Sequence, residues 1–240
     1  MNTWKQAFWL AKFELKESKL SFLFLLLLFP FIILGLSSTL SSYLEANFVG
    51  FDIFFMLLFT FATTWARPKH FQMQRMNNEL IASPSIFMLQ QLPIKTEMIG
   101  KSRFIIYFIY SIPTQIIMLI SLYVLTPSLQ EMIGIGAYIV FSMIWIAFSI
   151  YIGGMIPASD AGERVSPINM VVYAVLMVIA AITFFTFFHV VSDYGIVYWT
   201  LIFAKKWPIL SSVLSIILAF LGLKYWQSYM KKVIGKTDYL

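Results

Sequence analysis

Long runs without a charged residue dominate the chain and predict membrane-spanning helices. A helix of about 20 mainly apolar residues crosses the roughly 30 Å core of a bilayer. Long uncharged runs cover residues 20–44, 104–130, 132–159, 165–192 and 207–223, with a shorter one at 53–66. The shorter run lengthens backwards if Asp52 lies near a membrane surface. The pattern therefore predicts an all-α polytopic membrane protein with six transmembrane helices, at about 20–43, 47–66, 103–126, 132–156, 167–191 and 207–225.

Two segments outside these spans have apolar patterns of their own. In residues 1–19, apolar side chains recur at helical spacing beside an arc of lysines, which predicts an amphipathic helix at the membrane interface. Residues 193–206 are too few to span the bilayer as a helix and too apolar for an ordinary loop. They predict a pair of short external or re-entrant helices. Residues 1–240 then form a single transmembrane domain.

The positions of the basic residues predict the orientation in the membrane. Of the 17 Lys and Arg residues, all but Lys205 and Lys206 lie on one side of the six-span arrangement. Because basic loops stay in the cytoplasm, both termini are expected inside the cell. Residues 67–102 become the largest cytoplasmic connection. The net charge of +6 is accounted for by this arrangement, and we expect no nucleic-acid partner.

Composition excludes several classes of protein. Hydrophobic residues make up 60% of the chain and charged residues 12%, whereas soluble domains carry roughly a quarter of charged residues. This excludes a soluble enzyme and a disordered linker. The chain has 0 cysteines, which excludes disulfides, thiolate metal sites and a cysteine nucleophile.

Motifs for catalysis are incomplete, so we expect neither a catalytic nor a metal site and no cofactor in this chain. Gly100-Lys101-Ser102 resembles the end of a phosphate-binding loop, but position 95 is Lys95 where that loop requires glycine. The two histidines, His70 and His189, fall on opposite sides of the predicted membrane. No serine has the flanking glycines of a hydrolase nucleophile.

One acidic residue leaves an ion-driven mechanism open. Secondary transporters place ionisable groups at the middle of the membrane. Asp52 is the sole candidate, and we interpret it as interfacial, with a role in a substrate or proton path as the alternative. His189 is interpreted as a polar tip near the outer end of its span. Contact of either residue with a substrate stays open.

A motif in the 67–102 connection resembles a known family. Leu92-Pro93-Ile94-Lys95 is followed by Glu97-Met98-Ile99 and by Lys101, which leads directly into the third span. A short helix is predicted over 95–100, with Thr96 as its N-cap. This stretch, together with the six-span architecture, resembles the ABC-2 type permeases, the membrane subunits of ATP-binding-cassette exporters.

The resemblance implies a function and partners. In that family this stretch is a coupling helix that docks on a separate ATPase subunit. Carried over, the contact region consists of Leu92, Pro93, Ile94, Lys95, Glu97 and Lys101. A second cytoplasmic turn carries Asp160, Glu163 and Arg164, which either contact the ATPase or form salt bridges within the turn.

The implied protein is not itself an enzyme. ATP and Mg²⁺ would bind the partner ATPase, and a second permease copy or a paralogue would complete the assembly in membrane lipid. We expect a multi-pass protein of a bacterial cell membrane that exports a hydrophobic peptide, a lipid-like molecule or a drug. A stand-alone membrane immunity or sensor protein that binds a peptide is the main alternative, and the ion-driven transporter is the other.

Overall fold

The computed structural model describes residues 3–46, 48–62, 67–76, 80–192 and 194–237. These residues are predominantly helical, as the sequence predicts. The helices, in chain order, are α1 (Thr3–Glu17), α2 (Lys19–Ala46), α3 (Val49–Phe61), α4 (Pro84–Gln90), α5 (Thr96–Leu125), α6 (Pro127–Met132), α7 (Ile135–Gly153), α8 (Met155–Ser159), α9 (Pro167–Val191), α10 (Ile196–Lys206) and α11 (Pro208–Ile234).

Five segments of the described chain are long and apolar enough to cross a membrane. They are α2, α5, the joined pair α7 and α8, α9 and α11. The remaining predicted span, 47–66, corresponds to α3, whose 13 residues are fewer than a helical span needs. Residues 47 and 63–66 of that predicted span lie outside the described residues. The count of six spans therefore stays a prediction.

The short helix predicted over 95–100 is not a separate element. Helix α5 runs without interruption from Thr96 to Leu125, so the 95–100 segment is its first turn. Thr96 is also not the N-cap: that position is held by Lys95, whose carbonyl accepts from the amide of Met98 at 2.8 Å. No proline separates the polar start from the apolar run, and Gly100, which lies between them, is accommodated within the helix.

Aromatic side chains form much of the main core. Phe51, Phe55 and Phe59 recur at every fourth residue of α3 and therefore lie on one face of that helix. Phe55 meets Trp145 of α7 edge to face, with ring centroids 4.6 Å apart. Tyr43, near the end of α2, stacks on Phe51 at 4.5 Å. The apolar pattern of α2, α3 and α7 thus fixes how these helices pack.

A three-stranded antiparallel sheet lies outside the helices, a feature that the all-α prediction did not include. Its strands are β1 (Gln74–Arg75), β2 (Leu80–Ala82) and β3 (Glu163–Arg164), in the order β1-β2-β3. Gly162 precedes β3 with a φ of 82°, which a residue with a side chain rarely adopts. A Cβ there would also lie 2.4 Å from that of Ala82. The sheet joins the 67–102 connection to the second predicted turn.

The segment before the last span forms one helix where the sequence predicts a pair. Residues 196–206 are a single helix, α10, because no proline or glycine interrupts it after Gly195. Its side chains Val197, Leu201 and Ala204 are buried against the core, mainly on α7. Asp193, the first residue of the predicted segment, lies outside the described residues.

Candidate functional site

The residues expected to contact an ATPase lie at the start of α5 and just before it. Leu92, Pro93, Lys95 and Glu97 are exposed, and Ile94 is half-buried. Ile99, one turn into the helix, is fully buried in a small core with Met230 and Ile234 of α11. The segment therefore presents a mixed apolar and charged surface on a helix that is anchored directly behind it.

Glu97 and Lys101 form an ion pair on this helix. Lys101 Nζ lies 2.6 Å from Glu97 Oε1, the i to i+4 spacing that places both on one face. The same ammonium lies 4.8 Å from the ring centroid of Trp4, at the start of α1. Beside the pair, a groove of about 430 Å³ separates α5 from α11 and includes Lys224 and Lys231. The structure thus brings α1, the motif and α11 together.

The three residues of the second predicted turn are not a single unit. Asp160 is buried and directed inward, whereas Glu163 and Arg164 are exposed on β3. Asp160 forms its ion pair with Arg67, which is 93 residues away in sequence. The alternative of salt bridges confined to the turn is therefore wrong for Asp160, because the sheet brings the 67–102 connection against it.

A buried network of four charged side chains joins the parts of this end of the molecule. Arg67 donates from Nε to Glu14 Oε1 at 3.1 Å and from Nη2 to Asp160 Oδ2 at 2.8 Å. Arg103 donates from Nη1 to Glu14 Oε2, and from Nη2 to Ser85 Oγ at 3.0 Å. All four charged side chains are at most 8% exposed. Two carboxylates and two guanidinium groups leave the network formally neutral.

The carboxylates determine the electrostatics of Arg67. Burial alone would lower its pKa, but the charges of Asp160 and Glu14, which also accept its hydrogen bonds, outweigh burial and raise the pKa above its ordinary value. Arg67 also donates from Nη2 to the carbonyl of Phe71 at 2.5 Å. It therefore stays charged and holds α1, α8 and the 67–102 connection together.

Most of this network is missed by reasoning from the sequence. Glu14 lies among lysines on α1, but its side chain shares a face with Ala7, Ala11 and Ser18, which are also buried. That small-residue face packs on α5, and the acid at its edge meets Arg103. Small residues repeating every three or four positions beside a lone acid are the signal that could have identified Glu14.

Asp52, which follows α2 in the chain, is held by hydrogen bonds from two other elements. It is buried, accepts from the Tyr43 hydroxyl at 2.7 Å and from the backbone amide of Val197 at 2.8 Å. Val197 is in the first turn of α10, where amide groups have no partner within the helix and favour a negative charge. Asp52 thus caps α10.

His189, the other residue whose contact with a substrate was left open, is exposed on α9 and lines a groove with Val49 and Ile53.

A polar cluster crosses the middle of the helix bundle. Gln115 of α5 donates to Ser149 Oγ of α7 at 2.5 Å and to the carbonyl of Phe59 on α3 at 3.2 Å. Tyr107 Oη donates to the Ser149 carbonyl at 2.9 Å. These uncharged groups satisfy each other and join three helices.

Comparisons with known proteins add no assignment to this geometry. Searches against family models, curated proteins and solved structures found no match to the chain.

Proposed function

We propose that the chain is the membrane-spanning permease subunit of an ATP-binding-cassette exporter, of the ABC-2 type. A separate ATPase would bind at the 92–101 segment, and two permease chains, identical or paralogous, would form the pathway. The exported molecule would be a hydrophobic peptide, a lipid-like compound or a drug. The termini would lie in the cytoplasm of a bacterial cell.

The observation that carries this proposal is the continuity of α5. Its first two turns, with the exposed Glu97 and the partly buried Lys101, belong to the same uninterrupted helix as Gln115 in the middle of the bundle. A force applied to the exposed turn would therefore move a long apolar helix as one body. Such a movement drives transport only if the ATPase binds two states of the permease with different affinity.

The buried network gives that movement a route to neighbouring elements. Through Glu14, Arg103 on α5 is joined to α1 and to Arg67, which is joined in turn to Asp160 beside α8. A shift of α5 would thus also displace the interfacial helix and the loop after α8. This arrangement supports the proposal that an ATPase acts on the permease through the 92–101 segment.

The environment of Asp52 supports a structural role over an ion-driven mechanism. Its carboxylate is occupied by the Tyr43 hydroxyl and by the α10 amide of Val197. A proton-carrying group in a transporter alternates between states, whereas this carboxylate caps a helix that is buried against the core.

Affinity purification from native membranes in mild detergents tests the proposal. We expect an ATP-binding-cassette ATPase to co-purify with the full chain. Glu97→Lys reverses a charge on the exposed turn and should lower ATPase recovery at least ~10-fold, a loss of about 1.4 kcal/mol. The matched control is Glu131→Lys, the same change at an exposed site beyond the far end of α5.

The outcomes are distinct. Pro93→Gly should keep insertion and expression normal but uncouple ATP hydrolysis from transport, because glycine loosens the chain before α5. Absence of any ATPase in several detergents would contradict the proposal. If equal amounts of ATPase co-purify with Glu97→Lys and Glu131→Lys, the ATPase does not dock on the 92–101 segment.

A further inference from the structure

A cavity lies between α1, α4 and the start of α5, behind the exposed 92–101 segment. Its volume is about 510 Å³, within the range of pockets that hold drug-sized ligands. Its apolar wall is formed by Leu92, which lies between α4 and α5, and by side chains from all three helices, namely Leu10, Phe13, Met88, Leu89 and Ile106. The cavity is therefore shaped for a hydrophobic chain.

The polar part of the wall contains an unsatisfied donor. Arg103 lines the cavity and is 3% exposed, and its two terminal nitrogens donate to Glu14 and Ser85. Its Nε–H has no hydrogen-bond acceptor among the described residues. A buried donor without an acceptor is costly. Because Nε itself is buried, a small shift of the guanidinium would let an oxygen of a bound molecule accept from it.

The fixed charges around the cavity restrict the head group of that molecule. Glu14 and Arg103 are already paired within the neutral network, while Glu17 adds a carboxylate to the cavity wall. A ligand with a free carboxylate would be repelled by the carboxylate of Glu17. A neutral ester carbonyl on Arg103 Nε is compatible with it, and so is a zwitterionic head group with an ammonium near Glu17.

The mouth of the cavity faces an apolar environment. Phe13, Met88 and Leu92 border it and are all exposed. The outer face of α1 continues this surface with Phe8 and Trp9, and also carries lysines, a combination typical of helices lying at the lipid head groups. The opening is thus directed towards the acyl and ester region of a bilayer.

We infer that this cavity binds one acyl chain of a neutral or zwitterionic membrane lipid, with an ester carbonyl of that lipid accepting a hydrogen bond from Arg103 Nε. The site shares Leu92 with the ATPase contact that we propose, and its other lining residues lie outside the 92–101 segment. It joins lipid to the charged network through Arg103, and it does not require that an ATPase binds.

Photolabelling in vesicles tests the inference. The full chain is reconstituted in phosphatidylcholine that contains a phosphatidylcholine with a diazirine in one acyl chain, and the labelled residues are mapped by mass spectrometry. We expect labels on Leu10, Leu89 and Ile106. The exposed helix α9 provides an internal reference for ordinary lipid contact, because none of its residues is buried.

Two variants and one control separate the site from general lipid contact. Met88→Glu places a charge at the exposed mouth and should reduce labelling inside the cavity at least ~10-fold relative to α9, because a carboxylate is costly to desolvate. Met76→Glu, at an exposed methionine that does not line the cavity, should leave it unchanged. Arg103→Lys, which keeps the charge but removes Nε–H, should reduce labelling by the phospholipid and not by a diazirine-bearing alkane.

Several results would overturn the inference. One is an unlabelled cavity in vesicles where α9 is labelled, and another is cavity labelling that is equal in Met88→Glu and Met76→Glu. A third is a photoreactive amino acid at Met88 that captures a protein in native membranes while the cavity stays free of lipid label. That result would assign the cavity to a protein partner.

Discussion

A buried carboxylate lies near each end of α2, and the two are stabilised by different groups. Glu14 precedes α2 and contacts two guanidinium groups, those of Arg67 and Arg103. Asp52 follows α2 and accepts from a hydroxyl and a backbone amide. The 28 residues of α2 rise by about 42 Å, so the two sites are far apart.

This difference shows what each end of the molecule holds together. The long guanidinium side chains of Arg67 and Arg103 join segments that are distant in sequence, and removal of a carboxylate partner leaves a buried charge without compensation. The Asp52 site uses uncharged donors over short distances and fixes a single helix, α10. We therefore expect substitutions at the network to be more damaging than those at the cap.

The largest effect is expected for Glu14→Ala. The change leaves Arg67 without one of its carboxylates and Arg103 without its ion pair, both buried, and should lower the free energy of unfolding by roughly 3–5 kcal/mol. Titration of the purified protein with sodium dodecyl sulfate, followed by circular dichroism, measures it. Glu17→Ala, at an exposed position on the same helix, should stay within about 0.5 kcal/mol. Equal losses would show that the network does not stabilise the fold.

An intermediate effect is expected for Gly195→Ala at the opposite end. A Cβ at this position would lie 2.2 Å from Tyr43 Oη and 2.3 Å from Asp52 Oδ2, so the cap must shift. Overpacking of this kind costs roughly 1–3 kcal/mol in the same titration. Gly136→Ala in α7 is the matched control, since nothing lies within 4 Å of a Cβ there. A Gly136→Ala variant as unstable as Gly195→Ala would contradict the close approach.

The smallest effect is expected for Tyr43→Phe. It removes the hydroxyl that donates to Asp52 and accepts from the amide of Tyr198, but the carboxylate keeps its bond from Val197. The expected loss is about 1 kcal/mol, the usual value for one hydrogen bond. A loss as large as that of Glu14→Ala would mean that both carboxylates depend on their partners equally.

Combining Tyr43→Phe with Gly195→Ala sharpens the comparison. Because the extra methyl group of alanine meets the Tyr43 hydroxyl first, removing that hydroxyl should recover part of the loss caused by Gly195→Ala. The free energy of unfolding of the double variant should thus exceed the value expected from adding the two losses. Strict additivity would indicate that the two side chains do not meet.

The helical architecture could be predicted from local patterns because each span carries its own signal. Five predicted spans correspond to segments that are long and apolar enough to cross a membrane. The second span was harder to assess, since α3 is short and begins beside Asp52. The 95–100 segment was predicted as a short helix of its own, but its polar residues share one continuous helix with the apolar run, because helix geometry does not change where hydropathy does.

The candidate site was predictable only in part. The exposed positions Leu92, Pro93, Lys95 and Glu97 were identified from a local motif, which is read along the chain. Asp160 was noted, but its partner Arg67 lies 93 residues away and is brought near by the β-sheet. A charge in a polar loop has the same local pattern whether it is buried or solvated.

The sequence by itself determined that this protein is a bundle of apolar helices suited to a membrane, because length and hydropathy are properties of each segment alone. Tertiary structure alone decided which charges are buried and that Arg103 Nε, among other buried polar atoms of the described residues, has no hydrogen-bond partner. Glu14, Arg67, Arg103 and Asp160 meet because α1 packs on α5 and because β2 pairs with β3. Ion pairs form between segments that folding brings together, and their partners follow from packing and not from spacing.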